Sequence, residues 1–226
     1  MLDKKNSEKL LQLLDIMATL RAPSGCPWDR KQTPESLKPY ILEEAYEVIE
    51  AIDGADSCEI CDELGDLLLQ VVFLAQIFRE QGQFDFADIA ESISTKLIRR
   101  HPHVFNNADP ARHAQQWERI KQEERKTHGK GNRLSDRIPR NLPALKKATK
   151  VAKKTEMLDL ENLTEKLQDD IKCIHELLKD TERSQLEKVL GETFFNLVQL
   201  TQQLNLDAED LLRRKTMQVI EEIDAE

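Results

Sequence analysis

Apolar residues recur along this chain every three to four positions, the period of an α-helix with one face turned to a core. Leu10, Leu13, Leu14, Met17 and Leu20 form the first such stripe, which stops before Pro23 and Gly25. A loop over 22–33 carrying Cys26-Pro27-Trp28-Asp29 follows. Thr33 is a suitable N-cap and Pro34 a suitable first helical residue, so a second helix is predicted from Pro34 to Asp53, with Gly54 as its stop. A third is predicted over 57–81, ending at Gly82, and a fourth from Asp85, with Asp88 three residues on, to His101-Pro102. Asp109-Pro110 starts a fifth, carrying Trp117 and Ile120. Later helices are predicted near 143–158, 164–179, 184–204 and 208–223. The predicted fold class is all-α: helical bundles forming two tandem related domains, at 1–128 and 144–226, joined by a linker at 129–143.

The relation between the halves shows when the sequence is slid by 126 positions. Leu64-Gly65-Asp66 then falls on Leu190-Gly191-Glu192, and Val72, Leu74 and Gln76 fall on Val198, Leu200 and Gln202. Ile41-Leu42-Glu43-Glu44 falls on Leu167-Gln168-Asp169-Asp170 without a gap, so matches lie on both sides of a connecting loop, as in an internal duplication.

Composition narrows the class. With 226 residues, 39% hydrophobic and only 5% aromatic, the chain has enough apolar surface for a core but few of the residues that fill sheets. Its net charge of −9 disfavours non-specific binding to duplex nucleic acid, and the sequence has no run of about 18 apolar residues to span a membrane. The opening Met-Leu-Asp-Lys-Lys lacks a secretory apolar stretch, so a cytoplasmic location is expected. Cys58 and Cys61 form an isolated C-x-x-C, and all four cysteines are read as small buried residues.

The chemistry concentrates in carboxylates. On the second helix the apolar face gathers Leu37, Ile41, Ala45, Val48, Ile49 and Ile52, with Glu44 at its edge and Glu47 one turn further along; Glu43 and Glu50 point toward solvent. The third helix is so rich in Leu, Val and Phe that burial on nearly all sides is expected, yet Glu63 and Asp66 occupy its opening turns. Buried carboxylates require a partner, and no Lys or Arg occurs between Lys38 and Arg79. A short connection makes the two helices antiparallel neighbours, so Glu44, Glu47, Glu63 and Asp66 face one another, an all-oxygen set suited to Mg²⁺ or Mn²⁺. The alternative, a solvated acidic face, suits Glu43 and Glu50 better. Segment 95–130 holds nine basic residues against four acidic ones, the chemistry of a phosphate site. Lys96, Arg99 and Arg100 cluster at one helix end; His101 and His103, among prolines, are read as a packed turn.

These residues resemble the MazG family of nucleoside triphosphate pyrophosphohydrolases. The carriers are E-E-x-x-E at Glu43–Glu47, E-x-x-D at Glu63–Asp66 with Gly65 before the Asp, Gly25-Cys26-Pro27-Trp28-Asp29, Phe84-Asp85-Phe86, Arg99-Arg100-His101-Pro102-His103-Val104-Phe105, and Trp117-x-x-x-Lys121. The resemblance covers about 10–145 strongly and the rest weakly. It implies an all-α, Mg²⁺-dependent enzyme, dimeric or higher, that converts a nucleoside triphosphate to monophosphate and pyrophosphate by water attack at the α-phosphorus, in nucleotide-pool housekeeping. Related enzymes act on dUTP, dCTP or phosphoribosyl-ATP. It also implies Glu44, Glu47, Glu63 and Asp66 as ligands and Glu43 as the residue that orients or deprotonates water. Trp28, 16 residues before Glu44, would stack on the base; Lys96, Arg99, Arg100 and Lys121 would bind the nucleotide's phosphates. The second half departs from this pattern: under the same slide Glu47 becomes Cys173 and Glu63 becomes Val189, and with the small further shift that aligns Asp85 with Asp207, Glu221 and Glu222 stand where Arg99 and Arg100 would fall. It reads as a catalytically inactive copy kept for packing. The competing reading is a non-catalytic helical regulator that binds a nucleotide or a protein partner.

Overall fold

The computed structural model describes residues 4–106, 117, 119–121, 123–124, 133–155, 159–179 and 183–225. All regular elements among them are helices, and none is long and apolar enough to cross a membrane. The chain divides into two compact units, Met1–Ile120 and Lys121–Glu226. The expected linker at 129–143 falls within the second; 129–132 lie outside the described residues, and 134–137 form a helical turn. The start predicted for a fifth helix at Asp109-Pro110 also lies outside them, while Trp117 and Ile120 are helical.

The first unit contains α1 (Lys4–Arg21), α2 (Pro27–Lys31), α3 (Pro34–Gly54), α4 (Ser57–Glu80), α5 (Phe86–Arg100) and the single turn α6 (Pro102–Phe105). Local chemistry sets the boundaries. Thr33 and Ser36 cap each other's backbone amides at the start of α3, with Pro34 as the first helical residue. Asp56 accepts the Cys58 amide at 2.8 Å to open α4, and Asp85 and Asp88 form the reciprocal cap of α5. One boundary differs from expectation. Gly54 is the last residue of α3, and Ala55 takes the left-handed turn at φ 58. That conformation disfavours a side chain with Cβ, so the tight α3–α4 connection holds Ala55 in a strained setting.

Met17, Leu37, Val72, Phe73 and Ile77 make the core where α1 and α3 pack on α4, flanked by Leu13, Leu14, Leu69, Leu74 and Phe86. Within the single chain, α4 is not yet covered on nearly all sides as its composition leads one to expect. Val72, Phe73, Ala75 and Ile77 are buried, but Leu64, Leu68 and Val71 remain exposed, at 50%, 39% and 37%. Two helices cover only part of a third, and this stripe lies on the uncovered side. For the same reason Ile49 and Ile52 of α3 are exposed, whereas Leu37, Val48 and Ala51 are buried. The cysteine reading is corrected as well: Cys58 and Cys61 are exposed, and Cys26 and Cys173 are half-buried.

The second unit contains α7 (Leu134–Arg137), α8 (Ala144–Ala152), α9 (Leu160–Leu177), α10 (Arg183–Gln203) and α11 (Ala208–Asp224). Its internal layout repeats the first. The starts of α3 and α9, Pro34 and Leu160, are 126 positions apart. Buried Leu37 and Val72 correspond to buried Leu163 and Val198 at the same spacing. Each second helix ends in the same capped turn. Gln83 donates its amide to Phe78 at 3.0 Å below left-handed Gly82, and Leu206 donates to Thr201 at 2.8 Å below left-handed Asn205. Asn replaces Gly where the turn needs a positive φ, the substitution best tolerated there. The exposed stripe repeats too, as Leu190, Phe194 and Leu197.

Candidate active site

The antiparallel α3–α4 pair brings Glu44, Glu63 and Asp66 together, with one oxygen from each within 4.8 Å of the others. Glu44 and Glu63 are half-buried and Asp66 is exposed, so the cluster sits at the edge of the core, more open than an enclosed site. Gln70, one turn beyond Asp66 on α4, is buried and donates Nε2 to Glu44 Oε1 at 3.1 Å. Its own Oε1 is buried with no hydrogen-bond partner among the described residues.

Electrostatics set this group apart from a salt-bridged acidic face. Partial burial raises the Glu44 carboxyl above its ordinary value; Asp66 raises it further, the Gln70 hydrogen bond offsets part of this, and Glu47 adds repulsion. Glu63 is also raised, first by desolvation, then by the charges of Glu47 and Asp66, and then by Glu59 and Asp62. Every charge acting on the two is negative. A donor set of oxygens alone, shifted by no cation among the described residues, fits a hard divalent ion.

The other expected residues divide. Glu47 is exposed and stands outside the tight trio, yet close enough to act on both Glu44 and Glu63. Glu43 is exposed beside Glu44, and so is Glu50. Trp28, in α2, is 53% exposed, its ring set edge-on to Tyr40 at 6.3 Å. Tyr40 precedes Glu44 by four residues, so the aromatic pair lies one helical turn, about 6 Å, along α3 from the carboxylates. Sequence reasoning missed Tyr40, although its i,i+4 spacing to Glu44 was a usable signal. It also missed Gln70, whose signal was one amide inside the apolar run from Leu67 to Leu74.

On α5, Lys96 is half-buried and Arg99 exposed, and Arg100 lays its guanidinium over the Trp117 ring at 5.3 Å. His101 packs edge-on against Trp117 at 5.1 Å, with its Nδ1 2.8 Å from the Leu97 carbonyl oxygen, consistent with a packed turn. Lys121 is helical and half-buried, on the second unit's side of the division.

The equivalent place in the second unit is built differently. Asp170 is buried and accepts a 2.7 Å hydrogen bond from Asn196 Nδ2, repeating the Glu44–Gln70 pair at the 126-residue spacing. Cys173 and Val189 occupy the positions of Glu47 and Glu63, and among the described residues no second group of three carboxylates forms.

The MazG nucleotide pyrophosphohydrolase domain matches residues 32–105, the span of α3 to α6 that contains all of these carboxylates. The chain is also 43% identical, over 215 residues, to the nucleoside triphosphate pyrophosphohydrolase/pyrophosphatase MazG of Thermotoga maritima, covering 93% of this chain and 82% of that protein. This chain belongs to the MazG family. The nucleoside triphosphate pyrophosphohydrolase of Escherichia coli K12 is 41% identical over 214 residues, covering 90% of this chain and 81% of its own length. The uncharacterized protein YabN of Bacillus subtilis is 48% identical over 141 residues, 61% of this chain and 28% of YabN. The likeness to the first two MazG relatives thus extends across both units.

Both raised carboxyls bind protons more tightly in the folded than in the unfolded chain. Metal-free stability therefore increases as pH falls through these values and decreases toward neutrality. In chelator at about pH 7, where ordinary carboxyls are ionised, Glu63→Gln is expected to melt above the wild type, with the gap closing as pH falls below the ordinary glutamate value of about 4.3. A variant melting lower at neutral pH, as followed by circular dichroism, would show that Glu63 supports the fold through some other contact.

Proposed function

We propose that this protein hydrolyses nucleoside triphosphates to monophosphates and pyrophosphate with Mg²⁺ or Mn²⁺, as a nucleotide-pool housekeeping enzyme of the cytoplasm. The observation that carries the reading is the Glu44–Glu63–Asp66 trio, three carboxylates within 4.8 Å whose acting charges are all negative. The printed names of the Thermotoga and Escherichia relatives support the same reaction class.

The residues divide the work as follows. Glu44, Glu63 and Asp66, with Glu47 beside them, would hold the ion, which when bound neutralises charge on the α- and β-phosphate oxygens. Glu43, exposed next to Glu44, orients the attacking water and accepts its proton. Trp28 and Tyr40 offer ring faces to the base, a base-tolerant mode of recognition that leaves sequence-level substrate choice broad. Lys96, Arg99 and Arg100 supply positive charge for the leaving pyrophosphate. The first unit is the catalytic domain in this reading. In the second, thiol and valine replace two of the carboxylates, so that unit serves packing.

Hydrolysis by the purified full chain should require added Mg²⁺ or Mn²⁺ and yield monophosphate and pyrophosphate by chromatography. Glu63→Gln should lower kcat by at least about a hundredfold, the scale of losing one transition-state contact. Asp170→Ala with Glu192→Ala should leave the rate within about twofold, a difference worth under 0.5 kcal/mol. Diphosphate as the main product, or full turnover in chelator, would overturn the assignment.

We also infer that a second copy of the chain covers the exposed stripes. Leu64, Leu68 and Val71 on α4, and Leu190, Phe194 and Leu197 on α10, stand at i, i+4 and i+7 on their helices, and both units retain the same apolar face. Sedimentation at micromolar concentration should show a dimer or higher oligomer that Leu68→Asp weakens. A stable wild-type monomer would contradict the inference.

A further inference from the structure

Arg21 closes α1 and is almost fully enclosed, its side chain only 7% exposed. Its guanidinium is used in two directions. Nε and Nη2 donate to the two carboxylate oxygens of Glu80, at 2.9 and 2.7 Å, a forked pair at the end of α4. Nη1 donates to the backbone carbonyls of Asp29, at 2.5 Å, and Gln32, at 3.4 Å. The plane lies over Phe73 of the core, 5.4 Å from the ring centroid. The Arg21 hydrogen bond holds Glu80 below the ordinary carboxylate range.

The two carbonyls belong to the segment that carries Trp28. Gln32 also donates Nε2 to the Trp28 carbonyl at 3.2 Å and accepts from the Ser36 hydroxyl at 2.7 Å, which joins the segment to the first turn of α3. Upstream, Gly25 closes the bend from α1: its amide bonds to the Ala22 carbonyl at 2.7 Å, and a Cβ there would collide with the Thr19 and Leu20 carbonyl oxygens. Trp28 itself has no core packing to hold it, being 53% exposed and set edge-on to Tyr40. Its position therefore depends on how its backbone is tied down.

We infer that Arg21, braced by Glu80, is a positioning residue for the nucleotide base: it fixes the Trp28 segment onto α4, the helix that also carries Glu63 and Asp66. This rests on the reading of Trp28 and Tyr40 as the base platform. Glu80 lies fourteen residues beyond Asp66, about 21 Å along α4, so the clamp acts on the base platform and leaves the carboxylates alone. Its loss costs nucleotide binding, with the chemical step unchanged.

The test compares KM and kcat for one nucleoside triphosphate in wild type, Trp28→Ala, Arg21→Lys, Arg21→Ala and the Arg21→Ala/Trp28→Ala pair. Lysine keeps the charge but cannot serve Glu80 and the Asp29 carbonyl together, so Arg21→Lys tests the clamp even where Arg21→Ala fails to fold. Trp28→Ala is expected to raise KM by about tenfold, the scale of one base stacked on an aromatic ring. Arg21→Lys should raise KM by a few-fold with kcat within about twofold, and the double variant should be no worse than Trp28→Ala alone. In a Trp117→Phe background, Trp28 fluorescence should become more open to acrylamide quenching in Arg21→Lys. A raised KM in Trp28→Ala with wild-type KM in Arg21→Lys would overturn the positioning role and leave the base platform standing. An unchanged KM in Trp28→Ala would remove the platform and, with it, this inference.

Discussion

Glu44, Glu63 and Asp66 repel one another across the α3–α4 pair, and the rest of the first unit works to hold them against that repulsion. Left free, the carboxylates would move apart into water. They are kept together because α3 and α4 are locked in one antiparallel register by the core of Met17, Leu37, Val72, Phe73 and Ile77. The caps at Thr33–Ser36 and Asp56 set where each helix begins, and the strained Ala55 turn sets how closely they are joined. On the proposed function, a divalent ion binding to the folded state alone would offset the cost of this arrangement.

The second unit shows what remains when that demand is lifted. The start of the first long helix and buried leucines and valines recur at the 126-residue spacing, and the capped turn after the second long helix recurs three positions short of it. At the site the buried acid survives as Asp170, but Asn196 engages it at 2.7 Å and the neighbouring carboxylates have become Cys173 and Val189. The same kind of amide donor is kept in both units, from Gln70 to Glu44 and from Asn196 to Asp170, so the units differ in the neighbouring carboxylates. Packing residues and site residues were thus under separate pressures: the apolar period persists in α9 and α10 while the ligand set does not.

Much of this was legible in the sequence. Helix positions followed from a 3.6-residue apolar period with Thr, Asp, Pro and Gly at the boundaries, and Glu63 and Asp66 drew notice as acids without a nearby base. What the sequence hid depends on three-dimensional coverage. The apolar content of α4 implied burial on nearly all sides, yet within the single chain Leu64, Leu68 and Val71 are exposed because α1 and α3 cover only part of the helix. The same missing layer leaves Cys58 and Cys61 exposed. Gly54 looked like the stop of α3, but hydrogen bonding carries the helix one residue further and puts Ala55 in the left-handed turn. The Arg21–Glu80 fork spans 59 positions and leaves no local pattern, so only the folded chain reveals that the Trp28 segment is anchored there.

The proposed function requires that the α3–α4 carboxylates can hold a divalent cation. The most direct measurement is a Mn²⁺ titration of the nucleotide-free full chain, with free ion followed by electron paramagnetic resonance. Saturable Mn²⁺ binding is predicted for the wild type, displaced by excess Mg²⁺ and lost in Asp66→Asn, whose helical circular dichroism remains that of the wild type. Equal saturable binding by wild type and Asp66→Asn would contradict the account.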